Sequence, residues 1–291
     1  MYAIKTDKLT KYYGKARGIT DVSLTIEEGD VFGFIGPNGA GKSTFIRTLL
    51  GLISKTSGSA EIFGKNISEN KIDILRSIGY LPSETKFYSG MRVKDIIRLS
   101  ADLRNKDCAK EAAELCERLD LDTSRKIDEL SLGNRKKVGI VCAMQHKPSL
   151  YIFDEPTGGL DPLMQMEFYS LIKERNKQGA TVFLSSHVLS EVAKHCRHAA
   201  VIREGKVLVS DSVSALGHTG VKRITLRDIS SVPSIVGARD VSFEDNTLRF
   251  LYSERPELLL SELSKLSFGD INITDPDLDE IFLHYYAKEE K

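Results

Sequence analysis

No stretch of this chain approaches the roughly 18 consecutive apolar residues that a membrane-spanning helix needs. If the protein acts at a membrane, another chain has to provide the passage. A surplus of charge is missing as well, because 41 Lys and Arg balance 41 Asp and Glu. That balance argues for neither a nucleic-acid binder nor an acidic tail. The four cysteines, Cys108, Cys116, Cys142 and Cys196, form no Cys-x-x-Cys pair and no disulfide framework, which fits a reducing, cytosolic setting. Lys5, Asp7 and Lys8 follow Met1 closely, so the apolar stretch of a signal peptide is absent there too. What the chain does have is length: 291 residues can bury a large core and are expected to form more than one domain.

Its most informative segment is Gly36-Pro37-Asn38-Gly39-Ala40-Gly41-Lys42-Ser43-Thr44. An apolar run, Val31 to Ile35, precedes it and reads as a buried strand. Phe45 to Leu50 follows and reads as a helix stopped by Gly51. Strand, glycine loop and helix together make a phosphate site. The glycines let the backbone curl so that successive N–H groups face an anion, and the helix start adds its own donors. Lys42 is expected to reach the β- and γ-phosphates and the Ser43 hydroxyl to ligate Mg²⁺. The chain therefore binds a nucleoside triphosphate.

Strands are expected at Ile4–Leu9, Val22–Ile26, Val31–Ile35, Ser59–Phe63, Ile78–Leu81, Leu150–Phe153 and Thr181–Leu184. Between Met91 and Pro148 the pattern turns helical: Val93, Ile96, Ile97, Ser100 and Leu103 form one stripe, and Ala112, Leu115, Cys116 and Leu119 form another. Asp161-Pro162 suits the start of a helix from Leu163 to about Gln178, and Gly179 its end. Val201 to Val209 reads as a hairpin turning at Glu204-Gly205. Strands alternating with helices predict an α/β fold with a mostly parallel sheet, interrupted by a helical insert over about residues 86–148. A break near Gly217 to Gly220 divides this domain, residues 1–217, from a small α+β domain at 221–291. There the pattern gives a strand at Arg223–Leu226, a hairpin through Glu244-Asp245-Asn246, a helix from Pro256 to Leu266, a strand at Ile271–Ile273 and a final helix through Tyr286.

Leu150 to Phe153 ends in two acids, Asp154 and Glu155. A parallel sheet binds ligands at the carboxyl ends of its strands, so both should arrive beside the phosphate loop. Asp154 is placed to hold Mg²⁺ through water, and Glu155 to polarise the attacking water. His195, Cys196 and His198 imitate metal-ligand spacing, but the expectation there is a solvated helix end.

The order of motifs resembles the nucleotide-binding subunit of an ATP-binding-cassette (ABC) transporter. Walker A is Gly36 to Thr44, the signature is Leu130-Ser131-Leu132-Gly133-Asn134, and Walker B is Leu150 to Asp154. Glu155 follows Walker B, the D-loop Gly158-Gly159-Leu160 ends in Asp161, and His187 takes the switch-histidine position. The resemblance covers about residues 1–217 and implies the P-loop NTPase fold, with an antiparallel β-subdomain beside the main sheet. It also implies a head-to-tail pair of such subunits, either a homodimer or a pairing with a paralogue, with two ATP molecules sandwiched between them. Ser131 and Gly133 of one subunit then face the γ-phosphate held by the other, and His187 keeps Glu155 and water in register. Tyr13 matches the aromatic position that stacks on adenine, and stacking alone separates ATP from GTP poorly.

Departures from the family pattern are Leu132 for a glycine, Asn134 for a glutamine and Gly158 for a serine. Ser83, carried as a further residue on the Mg²⁺ side, replaces the glutamine that links γ-phosphate and membrane subunit. The tail Asp275 to Leu283, the run Gly133 to Gly139, and Ser83-Glu84 are similar to bacterial drug, antibiotic and peptide efflux ATPases. The expected protein is an exporter ATPase. It lies on the inner face of the cell membrane through a separate polytopic membrane subunit, docked near Ser83, Glu84, Phe87 and Tyr88. Importer subunits and soluble assembly or translation ATPases are the alternatives, and a kinase or GTPase fits the signature and His187 less well.

Overall fold

A computed structural model describes residues 1–14, 16–217 and 221–274. It divides into two compact units, Met1–Asp211 and Ser212–Lys291. The sequence placed that division a few residues later, after residue 217. The final helix expected through Tyr286, and the efflux-like tail motif, lie outside the described residues.

The first unit opens with β1 (Tyr2–Tyr13), β2 (Ala16–Glu27), β3 (Val31–Ile35) and α1 (Lys42–Leu49). β4 (Ser57–Ile62), β5 (Lys65–Asn66), α2 (Lys71–Ser77) and β6 (Ile78–Leu81) follow. The helical insert holds α3 (Val93–Asp102), α4 (Ala109–Arg118) and α5 (Leu132–Met144). The chain then returns through β7 (Leu150–Asp154), α6 (Pro162–Lys177), β8 (Thr181–Ser186), α7 (Leu189–His195), β9 (His198–Arg203) and β10 (Lys206–Ser212).

Two sheets result. One has the order β2-β1-β4-β5 with antiparallel pairs, and the other β10-β9-β3-β8-β7-β6. In the second, β3 pairs with β8 and β9, β7 with β8, and β6 with β7, all in parallel. Every residue of β3, β7 and β8 is buried, as near-continuous apolar strands require when both faces are covered. Phe34 on β3, Phe45 on α1 and Phe183 on β8 meet with ring centroids 4.9, 5.5 and 5.9 Å apart. This trio fixes α1 against the sheet, and with it the loop from Gly36 to Gly41.

The insert is joined to the core by charge as well as by packing. Arg118 on α4 makes a two-pronged contact with Glu174 at 2.6 and 2.8 Å and reaches Glu167 at 2.6 Å, both on α6. Glu111 on α4 pairs with Arg175 of α6 and with Lys147. Most residues of the predicted stripes are buried; Ser100 is half-buried, and Leu103, just past the end of α3 at Asp102, is 69% exposed.

His146, just past α5, is 4% exposed. Its ring nitrogen Nε2 lies 3.1 Å from the Ile78 carbonyl, which can only accept, so Nε2 carries the hydrogen. Burial, helped by the Arg104 charge, pushes its pKa down from 6.5 to about 4. The folded chain thus keeps a neutral ring over a range where the unfolded chain binds a proton. The site's stabilisation is complete above the unfolded value and is lost as pH falls towards the folded one, about 3 kcal/mol in all. Urea unfolding of wild type and His146→Gln, near pH 7.5 and near pH 4.5, should show a shallower acid loss in the variant. Equal losses would place the acid sensitivity elsewhere.

The second unit holds α8 (Val213–Gly217), β11 (Lys222–Arg227), β12 (Ala238–Glu244), β13 (Thr247–Tyr252), α9 (Pro256–Leu263) and β14 (Asp270–Thr274). Its sheet has the order β12-β13-β11-β14, with antiparallel pairs. Ile224, Leu226, Leu248 and Phe250 of the sheet pack with Leu259 and Leu263 of α9 in a separate core. The predicted hairpin at Glu244 to Asn246 is present.

Candidate functional site

The loop after β3 is shaped by its backbone. Gly41, the cap of α1, has φ +108°, a conformation that only glycine adopts without strain. Residues Pro37 to Thr44 then wall a cavity of about 280 Å³, together with Gly18, Ser83 and Glu155. Lys42 is 6% exposed and folds back into its own loop. Its Nζ donates to the Gly36 carbonyl at 2.5 Å and to the Pro37 carbonyl at 3.1 Å, and lies 3.0 Å from Glu155 Oε1.

β7 delivers the acid pair to the same place, because β7 and β3 flank β8 in parallel and end together. Asp154 is fully buried. Its Oδ1 accepts from Ser185 Oγ at 2.6 Å, whereas its Oδ2 has no hydrogen-bond partner among the described residues. A buried carboxylate oxygen without a partner is costly. Ser43 lines the cavity and Asp154, which does not, ends the strand that brings Glu155 to it; both offer oxygen donors of the kind a hard divalent cation takes.

Glu155 has φ +50°, a left-handed backbone rarely held by a residue with a side chain. Its N–H donates to Ser185 Oγ at 3.1 Å and to the Ser185 carbonyl at 3.2 Å. The turn throws the carboxylate away from the strand, between Lys42 and His187. His187 Nδ1 lies 2.6 Å from Glu155 Oε2. A carboxylate accepts, so Nδ1 carries the hydrogen and Nε2 is left for another partner. Lys42, Glu155 and His187 are thus joined in one chain of contacts.

Four further expected residues are not among those that line that cavity. Ser131 caps α5, its hydroxyl accepting from Asn134 N–H at 3.3 Å. Gly133 sits in the first turn of α5, where an added Cβ would stand 2.4 Å from the Gly159 carbonyl. Signature and D-loop therefore touch within one chain, and glycine is what permits the approach. Asp161 caps α6, accepting from Met164 N–H at 3.0 Å. Tyr13 closes β1 as an exposed ring with Lys11 Nζ 5.3 Å from its centroid. Ser83, Gly39, Ala40, Asn38 and Thr44 all line the phosphate cavity, while Ser131, Gly133, Asp161 and Tyr13 do not.

Ser185 was missed in the sequence. Its only signal there is a hydroxyl pair, Ser185-Ser186, closing a strand buried along its whole length. The His195–His198 segment needs correcting too. Cys196 is buried, the His195 ring stacks on Tyr169 at 3.6 Å, and His198 Nδ1 bonds Asp30 at 2.8 Å. These are three separate environments, and the segment is not a uniformly solvated helix end.

A phosphate loop, a buried carboxylate with a free oxygen, and a second acid held between lysine and histidine define a phosphate-loop nucleotide hydrolase. A model of the ABC transporter family matches residues 19–158. The bacitracin transport ATP-binding protein BcrA of Bacillus licheniformis is 42% identical over 212 residues, 70% of this chain and 68% of that protein. BcrA of Enterococcus faecalis is 30% identical over 97% of this chain and 95% of its own length. A solved ATP-binding subunit of an ABC transporter covers 74% of this chain and 91% of its own, with TM-score 0.69 and 28% identity. The chain belongs to the ABC transporter ATP-binding family, and it is an ATP-binding ATP hydrolase.

Proposed function

We propose that this protein is the energy-coupling ATPase subunit of an exporter that moves a drug, antibiotic or peptide. The observation that carries the reading is similarity along nearly the whole chain, C-terminal unit included, to a protein named for bacitracin transport. Among the described residues no helix is long and apolar enough to cross a membrane. A separate polytopic membrane subunit supplies the passage in this proposal, and the ATPase rests on the cytoplasmic face against it. The segment after β6 is the proposed docking point, where Tyr88 is 73% exposed and Glu84 is exposed beside it. Residues 1–217 form the nucleotide-binding domain in this reading, and 221–291 an accessory domain.

The site residues divide the work. Lys42 exchanges Glu155 for the β- and γ-phosphates as its anionic partner. Gly36 to Thr44 cradle the phosphates through backbone N–H groups. Ser43 and Asp154 would hold Mg²⁺, which neutralises phosphate charge when bound, with Ser83 on the same side. Glu155 receives the proton of the attacking water, and His187 holds Glu155 while its Nε2 faces the γ-phosphate. Tyr13 offers its exposed ring to adenine. Ser131 and Gly133, at a helix start that does not line their own cavity, serve the ATP of a partner subunit, with Asp161 at the end of the D-loop. The partner is a second copy or a paralogue.

Co-expression with a candidate polytopic membrane subunit tests the assignment. The two should purify together from detergent, and an amphipathic peptide such as bacitracin should raise ATP turnover. Full turnover without any membrane partner, unchanged by such compounds, would favour a soluble assembly ATPase.

A further inference from the structure

Lys136 has no part in the chemistry above, yet it is 3% exposed. It lies in the second turn of α5, five residues beyond the Ser131 cap. A buried ammonium must recover the hydration it has lost through acceptors aimed at it. Nζ donates to the Ser83 carbonyl at 2.7 Å and, more weakly, to the Pro82 carbonyl at 3.4 Å. These carbonyls follow the end of β6, where the sheet ladder no longer occupies them. Burial lowers the Lys136 pKa, while the charges of Asp154 and Glu155 act in the opposite sense.

The clamp joins two parts of the site that the backbone leaves separate. One end is the helix whose first turn carries Ser131 and Gly133. The other is Ser83, a wall of the phosphate cavity. Fifty-odd residues of chain separate the two ends, and a buried charge-assisted hydrogen bond is among the stronger polar contacts a protein makes.

We propose that Lys136 is a positioning residue for ATP hydrolysis. By clamping the Ser83 carbonyl it holds Ser83 in the cavity wall, so that the signature helix and the phosphate site move as one. The inference rests on the cavity being the ATP phosphate site. It makes Ser83 dependent on Lys136, and a double-mutant cycle reads that dependence.

Lys136→Met removes the charge and the donors while keeping length and volume. With folding checked by thermal melting, it should lower kcat about ten- to a hundred-fold, the scale of a small misplacement at a reacting centre. ADP affinity should stay within about twofold, since the rest of the loop is untouched. Ser83→Ala alone should lower kcat less, and adding it to Lys136→Met should cost nothing further. If Lys136→Met does not fold, the same cycle is run with Lys136→Leu, which likewise removes the charge and the donors. Wild-type kcat in the folded variant, or effects that multiply in the double variant, would overturn the proposal. Failure of wild type to bind ADP or ATP would instead remove the phosphate-site assignment beneath it.

Discussion

Replacing Glu155 by Gln should leave ATP binding intact and reduce turnover by about a hundred- to ten-thousand-fold, the range a lost general base commands. Glutamine fills the same volume, so the buried strand and the strained turn at φ +50° have no reason to change. Its carbonyl oxygen can still accept from His187 Nδ1, now 2.6 Å from the carboxylate. What it cannot do is take a proton from water. It also removes the negative partner 3.0 Å from Lys42, which leaves that ammonium fully available to phosphate. Affinity for ATP should therefore hold or rise. A subunit pair that closes over ATP but cannot hydrolyse it should persist, and size-exclusion chromatography with ATP should show the dimer accumulate. Steady-state turnover and equilibrium ATP binding on the same preparation separate the two effects. Wild-type turnover would take Glu155 out of the mechanism.

Two single lesions, Lys42→Ala and Ser131→Arg, should each abolish most hydrolysis, and mixing the two dead proteins should restore ATP trapping. The expectation follows from where the residues stand. Lys42 lies in the phosphate cavity of its own chain, whereas Ser131 caps a helix that does not line it. If that helix start also serves a γ-phosphate, as proposed, it has to approach from the opposite side. In a two-fold pair of unlike variants, both lesions then fall in one site and the other site is whole. Turnover returns if one site can fire alone, but occlusion is the decisive measurement. Mixed dimers shown to form yet trapping no ATP would sink the shared-site arrangement.

The sequence by itself determined the family and most of the fold, and it singled out the residues proposed for the ATP site. β3 and β6 fall on their predicted residues, and α6 and β8 differ only at their ends, because strong apolar periodicity and Pro or Gly punctuation are local signals. Gly36 to Thr44, Asp154, Glu155 and His187 stood out as candidates for a related reason. Their chemistry depends on residue type at fixed spacing, and the strand order of a parallel sheet brings strand ends together.

Tertiary structure alone decided which of them touch. No pattern in the chain tells that Glu155 stands between Lys42 and His187, since a left-handed turn at an acid has no composition signature. Ser185, which satisfies one Asp154 oxygen and leaves the other open, reads in the sequence as one more polar residue at a strand end. Only folding shows Lys136 buried against the Ser83 carbonyl. Local periodicity records which way a side chain points on its own element. It does not record what a distant element places opposite, and the hydrogen bonds of this site are made across such distances.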